Sequence, residues 1–236
     1  HDDIMDNDSI RHGKKTVHEK WDDSTAILAG DAMLSISLNL LTDANYDNKI
    51  ITAFHKGLLT VCEGQALDKE FETKKNISEQ EYLNMVEKKT SYLIAMAIEI
   101  GALAYDFPKK YIKRLFKFGL CIGKAFQIQD DFLEIISNSK NMKKSLNSDI
   151  ILGKKTYPII ICKQHDKTNI NRILKNKDVS KTITDLRQFI FKHNIDKKIK
   201  QKIDNFYIEG LNYINNIPFK TNELLNFSNS IKERNK

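Results

Sequence analysis

Proline and glycine are scarce in this sequence, at 3 and 9 of 236 residues. Both break helices and shape turns, so their scarcity excludes a fold of many short strands and leaves room for long helices. Cysteine is nearly absent as well. Cys62, Cys121 and Cys162 form an odd set without metal-binding spacing, and their apolar neighbourhoods predict buried free thiols instead of a disulfide framework. No apolar run is expected to approach the roughly 20 residues that cross a bilayer, and no apolar signal segment opens the chain. A cytoplasmic protein without a transmembrane segment is therefore expected. An initiating methionine is also lacking: His1 leads straight into an acidic motif, which predicts that amino-terminal material, helices included, is missing.

What is present points to an ordinary globular chain, 41% hydrophobic and long enough to bury a substantial core. The net charge of +7 is compatible with nucleic acid, phosphate or a membrane surface. The lysine-rich stretch from Lys140 to Lys202 lacks the interleaved aromatics that stack bases, so solvated helix faces are favoured and no nucleic-acid partner is expected.

Hydrophobic spacing supplies the elements. Between Ser24 and Leu41, residues Ile27, Leu28, Met33, Leu34, Ile36, Leu38 and Leu41 recur three and four apart, which predicts a largely buried helix. A second helix is predicted from Ile50 to about Glu72. Ser78 and Glu81 have capping-box spacing and open a segment running to Tyr105. Pro108 suits the first turn of a long apolar helix that ends at the polar loop Ser137 to Ser148, and Pro158 lies early in the next. Amphipathic patterns follow around Ile183 to Phe191, Ile199 to Ile217 and Leu224 to Ile231. No period-two strand, repeat or linker stands out, so one all-α domain over residues 1–236 is expected.

Two acidic clusters carry the chemistry. Asp2, Asp3 and Asp6 would share one helix face, where like charges repel unless a cation neutralises them. Gln127, Asp130, Asp131 and Glu134 repeat that spacing inside an apolar helix, where Asp130 and Glu134 are expected near the core. Oxygen donors without cysteine favour magnesium, manganese or calcium. One such cluster is commonly a solvated face. Two of them, facing across a cavity, could hold magnesium with positions open for a diphosphate. Cations to meet that diphosphate follow each cluster: Arg11 after the first, Lys154 and Lys155 after the second, with Lys89-Thr90 between.

These residues resemble the trans-isoprenyl diphosphate synthases. Asp2-Asp3-Ile4-Met5-Asp6 with Arg11-His12-Gly13-Lys14 is similar to their first aspartate-rich motif, and Gln127 to Glu134 to the second. Gly30-Asp31, Glu63-Gly64-Gln65, Lys89-Thr90 and Asp149 to Thr156 resemble further signatures in the same order. The resemblance implies an antiparallel helical bundle around a deep central cavity, usually homodimeric. It implies condensation of isopentenyl diphosphate with an allylic diphosphate, by ionisation, attack and proton loss, as in farnesyl and geranylgeranyl diphosphate synthases. By the same resemblance, Asp2, Asp6 and Asp130 ligate magnesium, three ions per site, while Asp3, Asp131 and Glu134 ligate it or order its waters. Arg11, Lys89 and Lys154 would bind the allylic diphosphate, with Gln65 and Asp68 beside it. Thr90, Gln127 and the Lys89 carbonyl would stabilise the carbocation.

The sequence departs from the family pattern in places. His12 replaces an arginine that helps bind isopentenyl diphosphate, making that contact weaker or pH-dependent. Glu134 replaces an aspartate, Asn147 stands where glycine is common, and the family's Gly-Gly-Lys-x-x-Arg-Pro segment is absent. A terpene cyclase is the enzymatic alternative, although its second metal motif would read Asn/Asp-x-x-Ser/Thr-x-x-x-Glu. A non-catalytic partner subunit or a basic helical binder is the alternative of another class.

Overall fold

The computed structural model describes residues 1–43, 47–136 and 153–233. They fall into two units, His1–Ile51 and Thr52–Lys236, each taken by itself.

In the first unit, α1 (Asp2–Met5) extends into Asp6, whose N–H donates to the Asp2 carbonyl at 2.9 Å. A hairpin follows, with β1 (Ile10–Arg11) antiparallel to β2 (Lys14–Lys15). His12 and Gly13 link the strands with φ of 50° and 75°, the two positive values that a tight two-residue turn needs to match strand twist. Two residues per strand are too few to show alternation, so this hairpin is not legible from residue spacing. Short α2 (Val17–Lys20) precedes α3 (Asp23–Asp43).

Helix α3 forms where expected but is not buried. Ala26 is its only buried apolar side chain, whereas Leu28, Met33 and Leu40 are 67%, 68% and 65% exposed. The periodicity correctly signalled a helix, but most of its apolar side chains are exposed. Over Asp23–Thr42 the mean hydropathy is 1.4, so by length and composition this helix could cross a bilayer, contrary to the sequence expectation. One such helix is weak evidence of a span, because core helices pass the same test.

The second unit takes up most of α4 (Asn48–Thr73) and continues with α5 (Glu79–Val86), a π-helical turn (Glu87–Ser91), α6 (Tyr92–Ala104) and α7 (Lys109–Ile136). Then come α8 (Tyr157–Leu174), α9 (Val179–Lys192), α10 (Ile195–Ile214) and α11 (Asn222–Lys232). The capping box opening α5 is present: Glu81 N–H donates to Ser78 Oγ at 3.1 Å, and Ser78 N–H to Glu81 Oε2 at 2.7 Å.

Helix α7 is the axis of this unit. Ile112, Leu115, Phe118, Ile122, Ala125, Ile128, Phe132 and Ile135 recur three and four apart and are all buried. Its neighbours run antiparallel to it. Along α6 and the π turn, Ala95 lies by Gly119 and Ser91 by Gly123; along α10, Tyr213 meets Arg114 and Tyr207 meets Gln129. Arg187 of α9 donates from Nε to the Ile135 carbonyl, near the last described residues of α7. Cys121 and Cys162 are buried, and burial pushes both thiols up to about 12. Cys62 is exposed, contrary to expectation, because it sits on the outward side of α4.

Candidate active site

The π turn is where the second unit gathers its polar side chains. Its widened ladder ends with the Tyr92 N–H donating to the Glu87 carbonyl five residues back, and Ser91 Oγ adds a bond to the Val86 carbonyl at 3.2 Å. Such a turn inserts one residue into a helix and re-aims the side chains around it. Here the two side chains predicted from the sequence reach different helices. Lys89 Nζ donates to Asp68 Oδ2 on α4 at 2.6 Å, and Thr90 Oγ1 donates to Gln127 Oε1 on α7 at 2.8 Å.

From Gln127 the hydrogen bonds continue to Asp131. Gln127 Nε2 donates to Asp131 Oδ1 at 2.9 Å, one turn along α7. Asp131 Oδ2 accepts from the Tyr82 hydroxyl at 2.7 Å and from the Tyr157 N–H at 2.8 Å. Three donors fix this carboxylate, which is only 7% exposed, and hydrogen bonding of that kind offsets the cost of burying charge. Burial first, and the neighbouring Asp131 charge second, push the Tyr82 phenol well above its usual range. Tyr82 is therefore a permanent donor. Tyr157 continues the network outward, donating from its hydroxyl to Glu79 Oε1 at 3.0 Å, while Glu79 pairs with Lys202 at 2.8 Å.

Asp131, not Asp130 or Glu134, is thus the buried acid of the second cluster. Asp130 and Glu134 are half-buried and four apart on one face of α7. Gln65 is half-buried one turn before Asp68 on α4, and Lys154 is half-buried before α8. Lys155 donates to the carbonyls of Gly153 and, at 3.3 Å, Glu72. Its burial lowers the ammonium pKa, opposed by the Glu72 charge. The loop Ser137 to Ser148, with Asn147, and also Asp149 lie outside the described residues. Sequence reasoning missed Tyr82 and Tyr157, since neither phenol falls in a spaced motif and each meets its partner across a helix interface. A separate groove of about 650 Å³, lined by Glu79, Tyr157, Gln164, His165, Lys198 and Lys202 among others, contains none of the predicted residues.

In the first unit, α1 and its extension keep Asp2 and Asp6 one turn apart, and Asp6 is buried. Arg11 Nε donates to Asp3 Oδ1, and its Nη2 lies 3.5 Å from Asp8 Oδ2. Partial burial opposes the Arg11 charge, but the Asp3 hydrogen bond and the Asp3, Asp8 and Asp2 charges outweigh it and raise its pKa. His12 is exposed at the hairpin tip. Among the described residues no three His, Cys, Asp or Glu side chains close into a ready metal cage. Paired carboxylates with open positions still fit magnesium, which takes one or two carboxylates and completes its shell with water and phosphate oxygens.

The chain is similar to known proteins in both sequence and fold. The family model described as Polyprenyl synthetase matches residues 1–190. Geranylgeranyl diphosphate synthase of Sulfolobus acidocaldarius is 36% identical over 232 residues, 94% of this chain and 70% of that protein. A short chain isoprenyl diphosphate synthase of Methanothermobacter thermautotrophicus is 39% identical over 163 residues, 68% of this chain and 50% of that protein. The crystal structure of geranylgeranyl pyrophosphate synthetase from Pyrococcus horikoshii superposes with a TM-score of 0.89 at 30% identity, covering 99% of this chain and 74% of that one. The chain thus spans between half and about three quarters of these relatives, and its all-α fold is theirs. With the family model matching from the first acidic cluster to beyond the second, the chain belongs to the polyprenyl synthetase family.

Proposed function

We propose that this chain lengthens an allylic diphosphate by head-to-tail condensation with isopentenyl diphosphate, giving a longer prenyl diphosphate, farnesyl or geranylgeranyl, and free diphosphate. The observation that carries the reading is the π turn, which joins Lys89 and Thr90 to Asp68, Gln127 and Asp131 through hydrogen bonds. Family membership supports a divalent-metal requirement, and the proposed ligands are Asp2, Asp3, Asp6, Asp130, Asp131 and Glu134. Magnesium, three ions in this reading, would supply charge neutralisation of the departing diphosphate.

The residues of the chain do the rest. Lys89, Lys154 and Arg11 bind the allylic diphosphate, His12 contacts isopentenyl diphosphate, and Gln65 and Asp68 order the region around Lys89. Since the Thr90 hydroxyl commits its proton to Gln127, its oxygen has only lone pairs to offer the allylic cation. Gln127 is held in that orientation by Asp131. Asp131, beyond its proposed part in the metal site, also positions Gln127, since one of its oxygens accepts from Tyr82 and Tyr157 and the other from Gln127. The double bond of isopentenyl diphosphate attacks the cation, and the released diphosphate takes the final proton.

A homodimer is part of the proposal, supported by the exposed apolar residues of α3, and so is a cytoplasmic location beside water-borne substrates. The deciding experiment incubates the full-length protein with magnesium, labelled isopentenyl diphosphate and dimethylallyl, geranyl or farnesyl diphosphate in turn. Label is expected in a longer prenyl diphosphate and lost on chelation. Diphosphate release without isopentenyl diphosphate would instead indicate a cyclase or hydrolase, and no turnover at all a non-catalytic subunit.

A further inference from the structure

Two glycines hold the π turn from opposite sides. Gly64 lies on α4, and a Cβ there would sit 2.2 Å from the Lys89 backbone N and 2.5 Å from Lys89 Cα. Gly123 lies on α7, and a Cβ there would sit 2.3 Å from Ser91 Cα and 2.6 Å from Ser91 Cβ. Both distances are far inside van der Waals contact, and the atoms met include backbone, which cannot swing away. The residues so gripped flank Thr90. A widened turn is a poor conformation for an isolated helix and persists where its surroundings impose it.

Other glycines in the same helix pairs meet something else. Gly57, two turns before Gly64 on α4, faces the Met96 side chain, with Sδ 1.9 Å from its virtual Cβ, and an unbranched thioether adapts readily. Gly119, one turn before Gly123 on α7, meets the backbone of Ala95, within α6 and beyond the π turn.

We infer that Gly64 and Gly123 are positioning residues that clamp the π turn, Gly64 setting the Lys89 ammonium and Gly123 setting the Thr90 hydroxyl. The inference rests on the prenyl transfer proposed above. It separates two roles that a merely structural glycine would not separate, because Lys89 acts on diphosphate binding and Thr90 on the cation formed afterwards.

The test is steady-state kinetics on the full-length protein with geranyl diphosphate and isopentenyl diphosphate, comparing Gly64→Ala and Gly123→Ala with Gly57→Ala and Gly119→Ala. Gly123→Ala is expected to lower kcat about tenfold or more while KM for geranyl diphosphate stays within about threefold, and Gly64→Ala to raise that KM about fivefold or more. Gly57→Ala and Gly119→Ala should keep both constants within about threefold, whatever they do to the melting temperature. Ser91→Ala removes only the hydroxyl bonded to Val86 and decides the matter if the alanine variants at Gly64 and Gly123 do not fold. It is expected to lower kcat about threefold or more, and parental kcat overturns the clamp. Equal kinetic losses at Gly119 and Gly123 overturn it as well. A parent protein that forms no longer prenyl diphosphate sinks the functional reading; an active parent with kinetically silent Gly64→Ala and Gly123→Ala sinks the clamp alone.

Discussion

A single carboxylate organises much of the second unit. Asp131 accepts from Gln127, Tyr82 and the Tyr157 backbone, so each donor helps fix the others. Tyr82→Phe removes a hydrogen bond to a buried charge and fills the same space. A loss of about 1.5–3 kcal/mol in chemical denaturation is expected, together with lower kcat as Asp131, the anchor of Gln127, loses one of its donors. Unchanged stability would mean that Asp131 does not need the phenol. Glu79, at the outer end of the same network, titrates. Partial burial works to raise its carboxyl, but hydrogen bonds from Lys202 and Tyr157, with the Lys202 charge, outweigh burial and hold its pKa below the usual value. The stability it contributes is complete above about pH 4.3, the unfolded carboxyl value, and is lost as pH falls through the lower folded value. Melting curves of the parent and Glu79→Gln should therefore differ most above about pH 5 and converge as the pH falls through the lowered folded value; a constant gap would contradict this.

At the scale of elements, the helices formed for the reasons their sequences state. The Ser78 capping box is a local device, legible from a three-residue spacing and present as two reciprocal hydrogen bonds. Ser78→Ala should lower stability by about 1 kcal/mol and shift the urea midpoint without changing the slope. The π turn was not legible. Glu87 to Ser91 read as an ordinary stretch of helix, because whether a ladder widens depends on what packs against it, here α4 and α7. For the same reason Lys89, Thr90 and Gln127 were identified as site residues from their motifs, while the bonds that join them, and the phenols of Tyr82 and Tyr157, appeared only with the helices assembled. The hairpin over residues 10–15 escaped because its strands are shorter than any period.

At the scale of the molecule, α3 carries exposed apolar side chains that a second copy of the chain would bury. Leu28, Met33 and Leu40 are each about two-thirds exposed, a large exposed apolar surface for one helix in water. If a second copy covers it, sedimentation equilibrium should show a dimer for the parent and a monomer for Leu28→Lys combined with Met33→Lys. A monomeric parent would remove the support that α3 lends to the homodimer.

The sequence by itself determined the helical class, the start of α5, the two acidic clusters and the family they belong to, since these depend on residue type and spacing a few positions apart. Only the tertiary structure decided which acid of the second cluster is buried, where the helix before α6 widens, and that the apolar side chains of α3 are mostly exposed. Each of those depends on atoms brought together from distant parts of the chain, and spacing along one helix carries no record of what lies against it.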